Sequence, residues 1–278
     1  MDNNDHQEPE DHDRGLTFDR RRLLSFLAAG AGAAILAACN SDGTASDTTS
    51  ASSGTEESGA STTTADASAT TCAPIPEETA GPYPGDGSNG PDVLAESGIV
   101  RRDIRASIGD ASGVANGVPL TVELTVTDTA AGCAPSAGAA VYVWHCDREG
   151  RYSMYSEGAE NENYLRGVQE TDGDGRVTFM SIFPACYSGR WPHIHFEVYA
   201  SVDDATGGGE PIATSQLAFP QDVCELVYAA DGYDQSVANL AQVSLESDMV
   251  FADGVALQLA EVTGTVEAGY TASLAIAV

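Results

Sequence analysis

The chain has 278 residues, with 42 acidic against 12 basic side chains and a net charge of −30. So acidic a surface argues against nucleic acid and anionic lipid headgroups as partners, and it repels anionic substrates at long range. All the basic residues are arginines, and solubility alone is a sufficient reason for the acid.

Residues 1–15 are polar and acidic. The stretch "TFDRRRLLSFLAAGAGAAILAAC" then joins three arginines, Arg20 to Arg22, to an apolar run from Leu23 to Ala38. That run falls short of the roughly 20 apolar residues of a spanning helix. Arginines, a mild apolar segment and small residues in this order read as an export signal of the twin-arginine type. Leu36-Ala-Ala-Cys39 resembles a bacterial lipobox, so Cys39 is expected to be lipidated and to become the mature N-terminus; a plain cleaved signal is the alternative. Gly30 and Gly32 follow no strand and lack a third glycine, so they are not a dinucleotide loop. Residues 40–71 are Ser, Thr, Ala, Gly and acid, unable to bury enough apolar surface to fold, and read as a flexible tether. The expected location is extracytoplasmic, with membrane attachment only through lipid; oligomeric state is not indicated.

Cysteines 72, 133, 146, 186 and 224 have no C-x-x-C spacing, and outside the cytoplasm disulfides are the default. Cys133 and Cys146 flank a short turn and strand and are expected to pair. Cys186 with Cys224 is the second expectation, which leaves Cys72 over.

From Pro76 onward short alternating runs are separated by Gly, Asp, Pro and Asn. "PLTVELTVTD" puts Leu120, Val122, Leu124 and Val126 on one face and Thr121, Glu123, Thr125 and Thr127 on the other, the pattern of a half-buried strand. "AAVYVWHC", "GRVTFMSIF", "HIHFEVYA", "SQLAF", "GVALQLAEV" and "YTASLAIAV" are further strand candidates. "DGDG" at 172–175 reads as a hairpin turn, since no glutamate closes a calcium loop. Only Asp231–Leu245 suggests helix. Many short strands with long loops predict a β-sandwich or barrel in one domain, residues 72–278.

Only three histidines follow the leader: His145, His193 and His195. In "GRWPHIHFEV" the period of two puts His193, His195 and Glu197 on one face, opposite Ile194, Phe196 and Val198. On its own H-x-H is a weak metal signal. Its surroundings strengthen it: Arg190 lies three residues before His193, Tyr187 stands in the preceding loop, and Tyr152 follows an upstream strand in "CDREGRYSMYSEG". Tyr155 is the alternative to Tyr152. Glu197 is the one nearby carboxylate for a 2-His-1-carboxylate site. His145, between Trp144 and Cys146, is expected to be structural beside a disulfide.

"AAVYVWHCDREGRYS", "YLRGVQETDGDGRVTF", "SIFPACYSGRWPHIHFEV" and "SQLAF", with "PEETAGPYP" upstream, resemble in order the intradiol ring-cleavage dioxygenases, over roughly Pro76 to Val250. The resemblance implies a single all-β sandwich with a non-haem Fe(III) held by Tyr152, Tyr187, His193 and His195. It further implies a small aromatic diol and O2 as substrates and a muconate-type diacid as product. Tyr152 would accept substrate protons, Arg190 stabilise charge on the ring, Gln216 assist from the next strand, and Tyr83 line the pocket. Pro84 stands where the family often has a second aromatic, which leaves the substrate open. Arg190 has the alternative of a surface pairing with an acid of the 157–162 loop, and Arg151 or Arg166 is a candidate to receive a carboxylated catechol. A non-catalytic cell-surface binding module on the same fold is the competing function.

Overall fold

The structure, a computed structural model, describes residues 72–278. The export signal, Cys39 and the tether lie outside the described residues.

Two sheets pack face to face. One is built on β1 (Pro119–Asp128), flanked by the two-residue β2 (Ala134–Pro135) and β5 (Arg176–Ile182) on one side and by β9 (Gly269–Ala277), then β8 (Glu261–Thr265), on the other. β1 and β9 run parallel, from Leu120 opposite Tyr270 to Thr127 opposite Ala277. The second sheet is antiparallel throughout, in the order β4 (Arg166–Glu170), β3 (Ala140–Trp144), β6 (His193–Tyr199), β7 (Ala213–Ala218). Between the sheets Val122, Leu124, Phe179, Val141, Val143, Ile194, Phe196 and Leu217 form one core. Burying a side chain such as Phe196 contributes about 1.5–3 kcal/mol, and Phe196→Ala would cost about 3–5 kcal/mol, because the vacated space cannot collapse.

The 172–175 turn is a hairpin: Asp172 Oδ1 accepts from the N–H groups of Asp174 and Arg176, joining β4 to β5. In "GVALQLAEV" the strand begins only at Glu261; before it Val255 O accepts from the N–H groups of Gln258 and Leu259, so the chain turns. Helices α1 (Val202–Thr206) and α2 (Gln221–Tyr228) were not expected, whereas α3 (Asp234–Leu240) lies in the helical stretch read from sequence.

The disulfide expectations are corrected. Cys72 pairs with Cys133, while Cys146, Cys186 and Cys224 are free and buried. Cys133 sits in the turn between β1 and β2 of the first sheet, whereas β3 carries Cys146 to the far end of the second. At about 3.3 Å per residue the five residues of β3 span roughly 16 Å, far beyond the Cα separation of about 7 Å a disulfide tolerates. There the Cys146 thiol donates to Ala185 O. Cys224 is fixed inside α2, and the Cys186 thiol turns to Arg190 O. His145 is buried as a structural residue, with Nδ1 against Cys146 O and Nε2 against Ser181 Oγ, but beside no disulfide.

Candidate metal centre

β6 is buried along its whole length. Ile194, Phe196 and Val198 enter the inter-sheet core, so His193 and His195 point to the opposite face. That face is covered by residues 79–85 and by the long loop between β3 and β4. His193 Nδ1 donates to Trp191 O at 2.5 Å, which directs its Nε2 lone pair outward. His193 Nε2 lies 3.1 Å from His195 Nε2 and 3.2 Å from Tyr187 Oη. Trp144, one strand away, stacks on the His195 ring at 4.9 Å and 7° and fixes its plane. From the other side Gly81, at φ 71°, lies so close that a Cβ there would meet His195 Cε1 at 3.3 Å.

Tyr152 arrives on the loop after β3, which Asp147 closes. Its buried carboxylate accepts from Arg151 N, Glu149 N and Tyr164 Oη, and pairs with Arg151 Nη2 at 2.8 Å. Tyr152 N then donates to Ser156 Oγ. The Tyr152 ring meets Tyr187 and His195 edge-on, with centroids 5.8 and 6.3 Å away. Its hydroxyl is buried and has no hydrogen-bond partner, an orphan of a kind native interiors rarely keep without a ligand. Tyr155 points elsewhere: its hydroxyl donates to Asn89 Oδ1 and accepts from Gly85 N.

Burial dominates the electrostatics. It pushes His193 down to about 3, with Arg190 adding to the fall, and pushes His195 well below the ordinary imidazole value, with His193 adding. Burial likewise raises Tyr187 to about 12 and lifts Tyr152 well above an ordinary phenol, with Tyr187 adding for Tyr152. Two neutral imidazoles and two phenols thus converge where a highly charged cation would turn the phenols into phenolates. This donor set fits Fe(III), because phenolate is a hard anionic oxygen ligand. Among the described residues no three His, Cys, Asp or Glu side chains form a metal-binding group, so the tyrosines are needed to complete the set. The Glu197 carboxylate accepts from Tyr199 Oη at 2.7 Å, and a 2-His-1-carboxylate site is not assembled.

Arg190 is held at the edge of this cluster by two side chains. Its Nε donates to Asp248 Oδ2 at 3.0 Å and its Nη2 to Gln216 Oε1 at 2.7 Å. Gln216 in turn donates through Nε2 to Thr79 O at 2.9 Å. Asp248 is fully buried and also accepts from Trp191 N at 2.6 Å. Burial works against its charge, yet the Trp191 N–H and Arg190 hold the carboxyl below its ordinary value. The expected alternative, a surface pairing with the 157–162 loop, is therefore corrected. Asp248 carried no signal in the sequence, since it lies in a turn without periodicity. Tyr83 stands over the cluster, part exposed, 5.0 Å from the Tyr152 ring and 5.1 Å from Tyr155. Of the two candidates for a substrate carboxylate, Arg166 is buried with its donors committed to the protein, and Arg151 is paired with Asp147 and Glu149.

Residues 89–253, more than half the chain, match the profile of a family described as Dioxygenase. A 54-residue stretch is 39% identical to catechol 1,2-dioxygenase 1 of Acinetobacter lwoffii, covering 19% of this chain and 17% of that relative. The intradiol ring-cleavage dioxygenase of Tetranychus urticae superposes with a TM-score of 0.57 at 26% identity, over 74% of this chain and 94% of that one. A second dioxygenase crystal structure gives 0.58 at the same identity and coverage. With the sandwich, the profile match and these likenesses in agreement, the chain belongs to the intradiol ring-cleavage dioxygenase family.

Proposed function

We propose that this protein cleaves the ring of catechol-type compounds between the two hydroxyl-bearing carbons. The reaction uses O2 and a non-haem Fe(III) held by Tyr152, Tyr187, His193 and His195, and yields a muconate-type diacid. The observation that carries this reading is the orphaned hydroxyl of Tyr152, whose ring packs edge-on against Tyr187 and His195, beside a cluster of two imidazole nitrogens and a second phenol. Iron bound there would act as a Lewis acid that draws electron density from the diol. As the phenolate such a cation would generate, Tyr152 Oη, free of other hydrogen bonds, would accept a proton from an entering catechol hydroxyl. Trp191 O and the Trp144 ring keep the two imidazoles oriented. Arg190, aimed by Asp248 and Gln216, places a permanent cation beside the charge that develops on the ring. Tyr83 and the 79–85 segment close the face and exclude water.

We place the enzyme outside the cytoplasm, tethered through Cys39. The arginine cluster supports this, as does the Cys72–Cys133 disulfide, which persists in an oxidising compartment. Oxygen uptake tests the catalytic reading. Iron-loaded protein given catechol consumes one O2 per catechol and forms a ring-opened diacid; binding of catechol without uptake would leave a non-catalytic binding module instead.

A further inference from the structure

Arg166 is 1% exposed, yet none of the ion pairs among the described residues includes it. A guanidinium without a carboxylate partner is an expensive thing to bury, unless every donor is used. Here every one is, and each on a neutral oxygen. Nε donates to Ser153 Oγ, Nη1 to Pro84 O and Tyr142 Oη, and Nη2 to Tyr83 O and Ser153 O, at 2.7 to 3.1 Å. Apart from Tyr142 on β3, those acceptors belong to two separate segments: the strap that carries Tyr83, and the loop position directly after Tyr152. We propose that Arg166 is a positioning residue that sets where the Tyr83 ring packs against the Tyr152 ring. A substrate ring that reaches Tyr152 must pass the Tyr83 ring, so the place of Tyr83 decides which ring substituents are admitted. The proposal rests on the catechol reading above.

The Tyr83 ring packs on the Tyr152 and Tyr155 rings. The ring is partly exposed, and its place is set through the carbonyls of Tyr83 and Pro84. Tyr142 Oη, which accepts from Arg166, donates in turn to Pro84 O at 2.6 Å. Gly85 follows with φ 68°, and a Cβ on it would lie 2.7 Å from Arg166 Nη1, so the strap is packed directly onto the guanidinium. Gly85 N donates to Tyr155 Oη, whose ring lies 5.5 Å from the same guanidinium. At its other end the strap is fixed by Gln216 on Thr79 O. The segments that carry these two rings, packed with centroids 5.0 Å apart, are thus joined by one planar five-donor group. A lysine keeps the charge but, with three donors on one atom, cannot bridge both segments.

The test compares Arg166→Lys, and from the strap side Gly85→Ala, with the unaltered protein, using catechol and the bulkier 4-tert-butylcatechol. Amide exchange is followed at Gly85 and Val93. The expected result is a shift of at least fivefold in the ratio of kcat/KM for the two substrates, at unchanged iron content. Exchange at the two amides should be at least tenfold faster, with the amides of β6 unaffected. A uniform fall for both substrates with the ratio preserved, or unchanged exchange in a folded variant, overturns the proposal. If Arg166→Lys does not fold, Gly85→Ala decides by the same readings. Failure of the catalytic reading shows separately, as no oxygen uptake by the unaltered protein. The exchange rates then uphold or overturn the assignment of Arg166 by themselves.

Discussion

The two sheets share one core but differ on their outer faces. Along β1 every second residue, Leu120 to Val126, is buried and its neighbours are wet or half-buried, as in a sheet with solvent on one side. Along β3 and β6 every residue is buried, although β6 alternates polar and apolar just as β1 does. The difference lies in what covers the polar face. Thr121, Glu123 and Thr125 meet water, whereas His193 and His195 meet the 79–85 strap and the Tyr152 loop. Polar side chains on a strand become a reactive site only when a second layer removes water and supplies the missing donors. That second layer comes from loops and not from the sheet.

The largest expected effect breaks this contrast on the covered face. His193→Ala and His195→Ala each lower iron affinity by more than 100-fold, measured as iron retained after dialysis against a chelator; full occupancy in both would remove the metal reading. Next comes the support of Arg190. Asp248→Asn keeps the hydrogen-bonding shape but removes the charge, and is expected to lower kcat/KM by about 10- to 100-fold with iron content preserved. An unchanged kcat/KM would show that Arg190 needs no buried partner.

A third effect is pH-dependent. All three histidines of the described chain are in or beside the second sheet, and burial holds their folded-state values down: His145 to about 4, His193 to about 3 and His195 well below the ordinary imidazole value. An unfolded histidine titrates near about 6.5, so the unfolded chain takes up protons first as pH falls. Stability of the metal-free protein is therefore fully present above about pH 6.5 and is lost progressively toward the folded values of about 4 and about 3. For His145 alone the loss amounts to roughly 3 kcal/mol. Thermal unfolding across this range checks it, and the slope should shrink in His145→Gln. The smallest effect sharpens the contrast from the outer face: Thr125→Val should move the unfolding free energy by less than about 0.5 kcal/mol.

The alternation of β1 and of β6 was legible because period two is written into the residues themselves. So was the shared face of the two histidines. Which tyrosine packs against the histidines was not decidable by spacing, since Tyr152 and Tyr155 stand three apart on one loop. Their difference is a matter of partners: Tyr155 is committed to Asn89 and Gly85, each more than sixty residues away in sequence. Asp248 and Arg166 were illegible for the same reason, because each acts through contacts made only when distant segments meet. The disulfide expectation failed because nearness in sequence was taken for nearness in space, whereas a strand carries its two ends apart. The missed helix α2 has alternation and helical period too short to separate by pattern alone.

The central claim is that two tyrosines and two histidines on the covered face hold Fe(III). Visible absorption of iron-loaded protein tests it most directly. A broad tyrosinate-to-iron charge-transfer band is predicted, shifted or lost in both Tyr152→Phe and Tyr187→Phe and unaltered in Tyr155→Phe. Stoichiometric iron without such a band, or a band that responds to Tyr155→Phe and to neither of the other two, would contradict it.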